Sequence, residues 1–187
     1  MNTEELGQLL DQIYELTSIE HYTNDDHSFS HSEVFDYKQA YQIIKKLIEH
    51  GAKPSIDTMK YAVSFDDGEM VDKLLSFGIK PTHEVFRLIY MSKASNVLQK
   101  MFDHKIQLIT TDDDGDCIVD DLFYISTDKH TTFGVDGILK CLKIIIEQYK
   151  LSPNTPLQDG NDTTTLLELT ESSTTLKNIV EYVKSKC

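Results

Sequence analysis

The sequence predicts an all-α protein: a helical repeat solenoid of about four to five helix–turn–helix units behind an N-terminal helical cap. Three observations lead there. The phrase Ile43-Ile44-Lys45-Lys46-Leu47-Ile48-Glu49-His50-Gly51-Ala52-Lys53-Pro54 returns as Met70-Val71-Asp72-Lys73-Leu74-Leu75-Ser76-Phe77-Gly78-Ile79-Lys80-Pro81. The two glycines stand 27 residues apart, and Lys105 of a worn third copy, residues 97–106, falls 27 beyond Gly78. Apolar residues recur at three- and four-residue steps along most of the chain, the signature of amphipathic helices. Finally, 187 residues with 40% hydrophobic content can bury a continuous core without cross-links.

Taken in order, residues 4–19 place Leu6, Leu9, Leu10, Ile13, Leu16 and Ile19 at helical spacing. Thr3 is the expected N-cap, with Glu4 and Glu5 where the helix dipole favours negative charge. His21 to Ser32 is polar and aperiodic and reads as an exposed loop. Its three histidines lack the acid–histidine framework of a metal site. A helix from Ser32 to His50 carries Val34, Tyr37, Tyr41, Ile44 and Ile48. Gly51 fits its left-handed C-cap, and Pro54 blocks propagation. Ser55 caps the next helix, Asp66-Asp67-Gly68 interrupts it, and the grammar repeats with Gly78, Pro81 and Thr82 as the following N-cap. In the third copy Lys105 replaces the glycine.

Beyond residue 108 the period stretches. Asp112 to Asp116 makes an acidic turn, 117–125 reads as a helix, and 126–134 is a polar insertion. Residues 135–149 give the strongest single helix, and Lys150 stands where the glycine was. Asp159 to Asp162 forms a turn, 163–170 a helix, and 174–186 a last amphipathic helix with Lys184 and Lys186 complementing its dipole. The expected domain division is a cap with its loop over 1–34 and a repeat body over 35–187, one domain overall.

The repeated phrases 46–54 and 73–81 resemble the second helix and following loop of an ankyrin repeat. Residues 151–169 resemble the loop and first helix of the next unit, and Asp112 with Gly115 the turn ahead of such a helix. The resemblance covers residues 38–187. The family's Thr-Pro-Leu-His opening is replaced by Thr164-Thr165-Leu166-Leu167 and Cys117-Ile118-Val119-Asp120. The 27-residue spacing is also shorter than the family's usual ~33, implying a shortened finger between units. The resemblance implies protein binding through first helices and loops, and no catalytic residue.

Charge points the same way. Thirty-one acids against 18 bases give a formal net charge of −13, which disfavours nucleic acid and anionic lipid and favours a partner with a basic surface. The candidate contacts are Asp112, Asp113, Asp114, Asp116, Asp120 and Asp121, joined by Asp66, Asp67 and Glu69 from an earlier turn, lining one side of the stack. Read as a calcium loop, the acidic run has Thr110 and Asp121 at two main anchors, so no metal is expected. Cys117, Cys141 and Cys187 are too few and too widely spaced for a disulfide framework and lack a nucleophile's setting. An exposed Tyr22, Phe29 or Phe133 would anchor an interface; the helical tyrosines Tyr37, Tyr61, Tyr90 and Tyr124 read as core. No cofactor or phosphate loop, signal segment or membrane span is read, so the expectation is a cytoplasmic, non-enzymatic protein, monomeric when free. Its expected role is an acidic inhibitor, such as an immunity protein against a toxin; the alternative is a scaffold, adaptor or host-targeting effector.

Overall fold

The computed structural model describes residues 2–22, 37–123, 135–160, 162–172 and 177–187, with backbone alone at 16–22, 37 and 172. The chain is mostly helical and divides into two compact units, Met1–Tyr61 and Ala62–Cys187.

In the first unit, α1 (Thr3–Tyr22) packs on α2 (Tyr37–Glu49). Leu6, Leu10 and Ile13 meet Ala40, Ile44, Leu47 and Ala52 in one apolar cluster. The cap of α1 is Asn2 rather than Thr3. Its Oδ1 accepts the Glu5 N–H at 2.9 Å, while Glu5 Oε2 accepts the Asn2 N–H at 2.9 Å, so two orphan donors are satisfied reciprocally. Helix α1 also runs through His21 and Tyr22, which the sequence assigned to a loop. The remainder of that loop, with His27, Phe29 and His31, lies outside the described residues. At the end of α2, Gly51 has φ +98°, the Ala52 N–H reaches Leu47 O at 2.9 Å, and the Gly51 N–H reaches Ile48 O at 3.1 Å. That paired closure needs a left-handed residue, which glycine supplies without a Cβ clash.

Helix α3 (Ile56–Ser64) contains the division between the units. Ser55 caps it as expected, its Oγ accepting the Asp57 N–H at 3.1 Å.

The second unit holds α4 (Gly68–Ser76), α5 (His83–Ser92), α6 (Ser95–Asp103), a 3₁₀ turn at Asp120–Leu122, and α7 (Val135–Lys143), which runs into a π turn at Ile144–Gln148. A short hairpin, β1 (Leu157–Asp159) and β2 (Asp162–Thr164), is followed by α8 (Leu166–Ser172) and α9 (Lys177–Lys184). Helix α4 packs on α6, α5 on the 3₁₀ turn, α6 on α7 and the π turn, and α8 on α9. The core includes Leu74, Phe86, Ile89, Tyr90, Leu98, Met101, Leu122, Ile138 and Ile145, all essentially inaccessible. Tyr90 belongs to the core, as its helical spacing predicts. It is fully buried, and its hydroxyl donates to Ile109 O at 2.7 Å.

The left-handed closure recurs with and without glycine. Gly78 has φ +84°, with the Ile79 N–H on Leu74 O at 3.2 Å. Lys105 keeps the conformation at φ +58°, with the Ile106 N–H on Met101 O at 2.9 Å, and Lys150 has φ +63°. Asp66 and Lys93 do the same at φ +48° and +54°, ending α3 and α5.

Three expectations are corrected. The helix expected over 117–125 is one 3₁₀ turn as far as residue 123. Cys117 pairs with Thr111 in a β-bridge, and the Ile118 N–H is taken by Thr110 O at 2.9 Å, so this backbone is committed sideways before a helix can nucleate. The helix over 135–149 is α-helical only to Lys143. Ile144, Ile145 and Ile146 are all buried, and consecutive residues some 100° apart on an α-helix cannot all face one side; the wider π turn accommodates them. Thr163 and Thr164 belong to β2, leaving α8 to begin at Leu166. The Asp159–Asp162 turn closes an antiparallel hairpin with Leu157 opposite Thr164. Residues 126–134 and 174–176 lie outside the described residues.

Candidate functional site

The acidic run folds as a tight turn. Thr111 and Cys117 bridge its base, Gly115 sits at φ +88°, and the Asp112 N–H bonds Asp116 O at 3.0 Å. Asp112 Oδ1 accepts the N–H groups of Asp114 and Asp116 at 3.1 and 3.0 Å, which holds its carboxyl below the usual aspartate range, with Arg87 assisting. Arg87, the only arginine in the sequence, projects from α5 and joins both ends of the run. Its Nη2 lies 3.4 Å from Asp112 Oδ2, and its Nε donates to Asp121 Oδ2 at 3.1 Å. His83, the first residue of α5, stands 3.1 Å from Asp113, whose side chain is 88% exposed.

Asp114, Asp116 and Asp120 are exposed. Partial burial, and then Asp121, push the Asp120 carboxyl up. The hairpin seats on this turn. The Gly160 N–H reaches Gly115 O at 3.3 Å, and the Cys117 N–H reaches Asp159 Oδ1 at 3.4 Å. Asp159 lies opposite Asp162 across the strands, so two further carboxylates join the same edge. The sequence reading missed both. The signal was available: Asp159-Gly160 carries the same aspartate-and-glycine chemistry as the Asp112–Gly115 turn.

Two of the earlier acidic group, Asp66 and Asp67, are spent on helix ends. Asp67 caps α4, its Oδ1 accepting the Met70 N–H at 3.0 Å. Asp66 accepts the N–H groups of Asn96 and Val97 at 2.9 and 3.0 Å, and Oδ2 takes Asn96 Nδ2 at 2.9 Å. Burial nevertheless pushes the Asp66 carboxyl up. Glu69 is exposed in the first turn of α4. Asp66 therefore sits where α6 begins, just past the C-terminal end of α5, and Asp113 at the start of α5. A ten-residue helix separates them by about 15 Å, so the two acidic groups occupy opposite ends of α5.

The other candidates divide as follows. Asp112, at the third place of the calcium-loop register, has its oxygens on backbone N–H groups and Arg87, and among the described residues no group of three or more His, Cys, Asp or Glu is placed to hold a metal. All three cysteines are free thiols. Cys141 is fully buried with its thiol pushed up to about 12, chiefly by burial and then by Asp66, and burial also raises Cys117. Neither presents a thiolate at neutral pH. Tyr61 is half-buried and stacks on Tyr14, with ring centroids 5.7 Å apart. The side chains of Tyr22 and Tyr37, and residues Tyr124 and Phe133, lie outside the described set. No described helix is long and apolar enough to cross a membrane.

No protein-family model matches the chain, no curated protein matches it, and no solved structure matches it.

Proposed function

We propose that the chain is a non-catalytic protein-binding module, a degenerate ankyrin-like stack that is cytoplasmic and monomeric when free. In this reading it acts as an acidic inhibitor occluding a basic partner surface, as an immunity protein does with a toxin. One observation carries it: the Asp112–Asp116 turn and the Leu157–Thr164 hairpin seat together, so the carboxylates of Asp113, Asp114, Asp116, Asp120, Asp159 and Asp162 gather along one edge. Arg87 is committed to Asp112 and Asp121, not to these six. Like charges facing each other across strands destabilise a sheet, and Asp159 faces Asp162; a lysine or arginine from a partner would relieve that repulsion.

The helix pairing supports the repeat architecture. Each of α4, α5 and α6 packs on an element roughly one unit further along the chain, and the turns keep left-handed closures even where glycine is lost.

The test is recovery of a partner from the native source at low salt, followed by association kinetics. Replacing Asp113, Asp114, Asp116, Asp159 and Asp162 with asparagine should slow association at low salt and flatten its salt dependence, leaving dissociation less affected. Recovery of no protein ligand at low salt, or an association rate indifferent to the five substitutions, refutes the reading.

A further inference from the structure

The α3–α4 turn does more than reverse the chain, because it also completes a helix 30 residues away. Helix α6 opens without a cap of its own: Ala94 stands at the cap position and has no side chain able to accept a hydrogen bond. The second and third residues of that helix, Asn96 and Val97, have N–H groups with no partner inside the helix, the donors a local Ser, Thr, Asp or Asn would normally take. Asp66 Oδ1 takes both, at 2.9 and 3.0 Å, and Asp66 Oδ2 takes the Asn96 side-chain amide at 2.9 Å. Gly68 supplies an independent sign of the same fit. A Cβ there would lie 3.1 Å from Asn96 O, so the start of α4 approaches the start of α6 more closely than a side chain comfortably allows.

The next turn repeats the arrangement with different chemistry. Lys93 is 27 residues after Asp66 and shares its left-handed conformation. It faces the third residue of α7 as Asp66 faces the third of α6: a Cβ on Gly137 would lie 2.9 Å from Lys93 Cβ. A cation is unfavourable at a helix N-terminus, and the Lys93 ammonium turns instead to Met91 O at 2.8 Å and Asp121 O at 3.4 Å.

We propose that Asp66, the left-handed residue of the α3–α4 turn, is a latch on the N-terminus of α6. The Asp66 latch makes the α3–α4 turn and the first turn of α6 open and close as one cooperative element. Cooperativity within the second unit then passes through a polar contact as well as through the apolar core.

Native-state hydrogen exchange on the full chain tests this. Asp66→Gly removes the acceptor while suiting the left-handed backbone, and Asp66→Asn keeps an acceptor for both N–H groups. The expected result is a loss of protection at Asn96 and Val97 of roughly tenfold to a hundredfold in Asp66→Gly. Amides in the middle of α4 should change far less, and Asp66→Asn should stay close to the parent protein. Unchanged protection at Asn96 and Val97 would overturn the proposal. So would an equal loss throughout the unit, which is plain destabilisation, or an equal loss in Asp66→Asn. If Asp66→Gly does not fold, the parent protein decides. On a denaturant series the Asp67 amide, bonded to Ala62 O, and the Asn96 and Val97 amides should share one opening transition. Separate transitions sink the latch.

Discussion

Three lysines share a backbone conformation and should respond to glycine in opposite directions. Lys93, Lys105 and Lys150 all have φ between +54° and +63°, where a Cβ crowds the following carbonyl at a cost of about 1–2 kcal/mol. Glycine removes that cost and gives back about 0.5–1 kcal/mol through the greater freedom of its unfolded chain. Lys105 and Lys150 are exposed, so their side chains contribute little else. Lys105→Gly and Lys150→Gly should each stabilise the protein by about 0.5–1 kcal/mol, or about 1–4 °C in Tm for a chain of this size. Lys93 is only 6% exposed, and its ammonium bonds two carbonyl oxygens. Deleting it forfeits charge-assisted hydrogen bonds and leaves two part-buried carbonyl acceptors short of a donor, a loss of about 1–3 kcal/mol that exceeds the backbone relief. Lys93→Gly should therefore destabilise. Urea denaturation of the three variants, with Lys105→Ala as a control that keeps the Cβ, measures the difference. A common sign for all three, or equal effects of alanine and glycine at 105, refutes the assignment of these turns.

Other outcomes follow from single contacts. Gly137→Ala places a methyl 2.9 Å from Lys93 Cβ; overpacking of about 1–3 kcal/mol set against about 1 kcal/mol of helix propensity predicts a net loss of up to about 2 kcal/mol by denaturant titration. Leu74→Ala, at a fully buried position between α4 and its neighbours, should cost about 2–5 kcal/mol by the same measurement. Asp112 has a folded pKa below its unfolded value, chiefly from backbone N–H groups, so its contribution is present above the ordinary aspartate range and lost as pH falls through the folded value. Asp112→Asn should accordingly flatten the acid limb of a stability-versus-pH curve. Arg87→Met releases Asp112 and Asp121 from their cation and should quicken association with a basic partner at low salt, an effect that added salt erases.

What the sequence disclosed and what it hid follow from how far each residue reaches. Gly51 and Gly78 announced their turns because the requirement they meet is local, a left-handed backbone at the end of a helix. Lys105 was located by the 27-residue period and Lys150 by the helix–turn–proline grammar, and both take the left-handed conformation, at +58° and +63°, without being glycine. Asp66-Asp67-Gly68 was legible as an interruption and nothing finer. One residue caps α6, the next caps α4, and the third allows α4 to approach α6, and two of those three duties involve residues about 30 positions away. The helix expected over 117–125 failed for a related reason. Its apolar stripe is real, with Ile118, Val119 and Leu122 all fully buried, but burial on a bridged turn beside α5 gives the same pattern as burial on a short helix. The acidic edge shows the limit most clearly. Charge along the chain singled out Asp112 to Asp121 and assigned Asp66 and Asp67 to the same side. Only the fold separates residues whose carboxylates are consumed by helix ends from residues such as Asp159 and Asp162, which a hairpin some 45 positions onward delivers to the exposed edge. A carboxylate count therefore measures how attractive the surface is to a basic partner, whereas the hydrogen bonds decide which carboxylates are left to receive one.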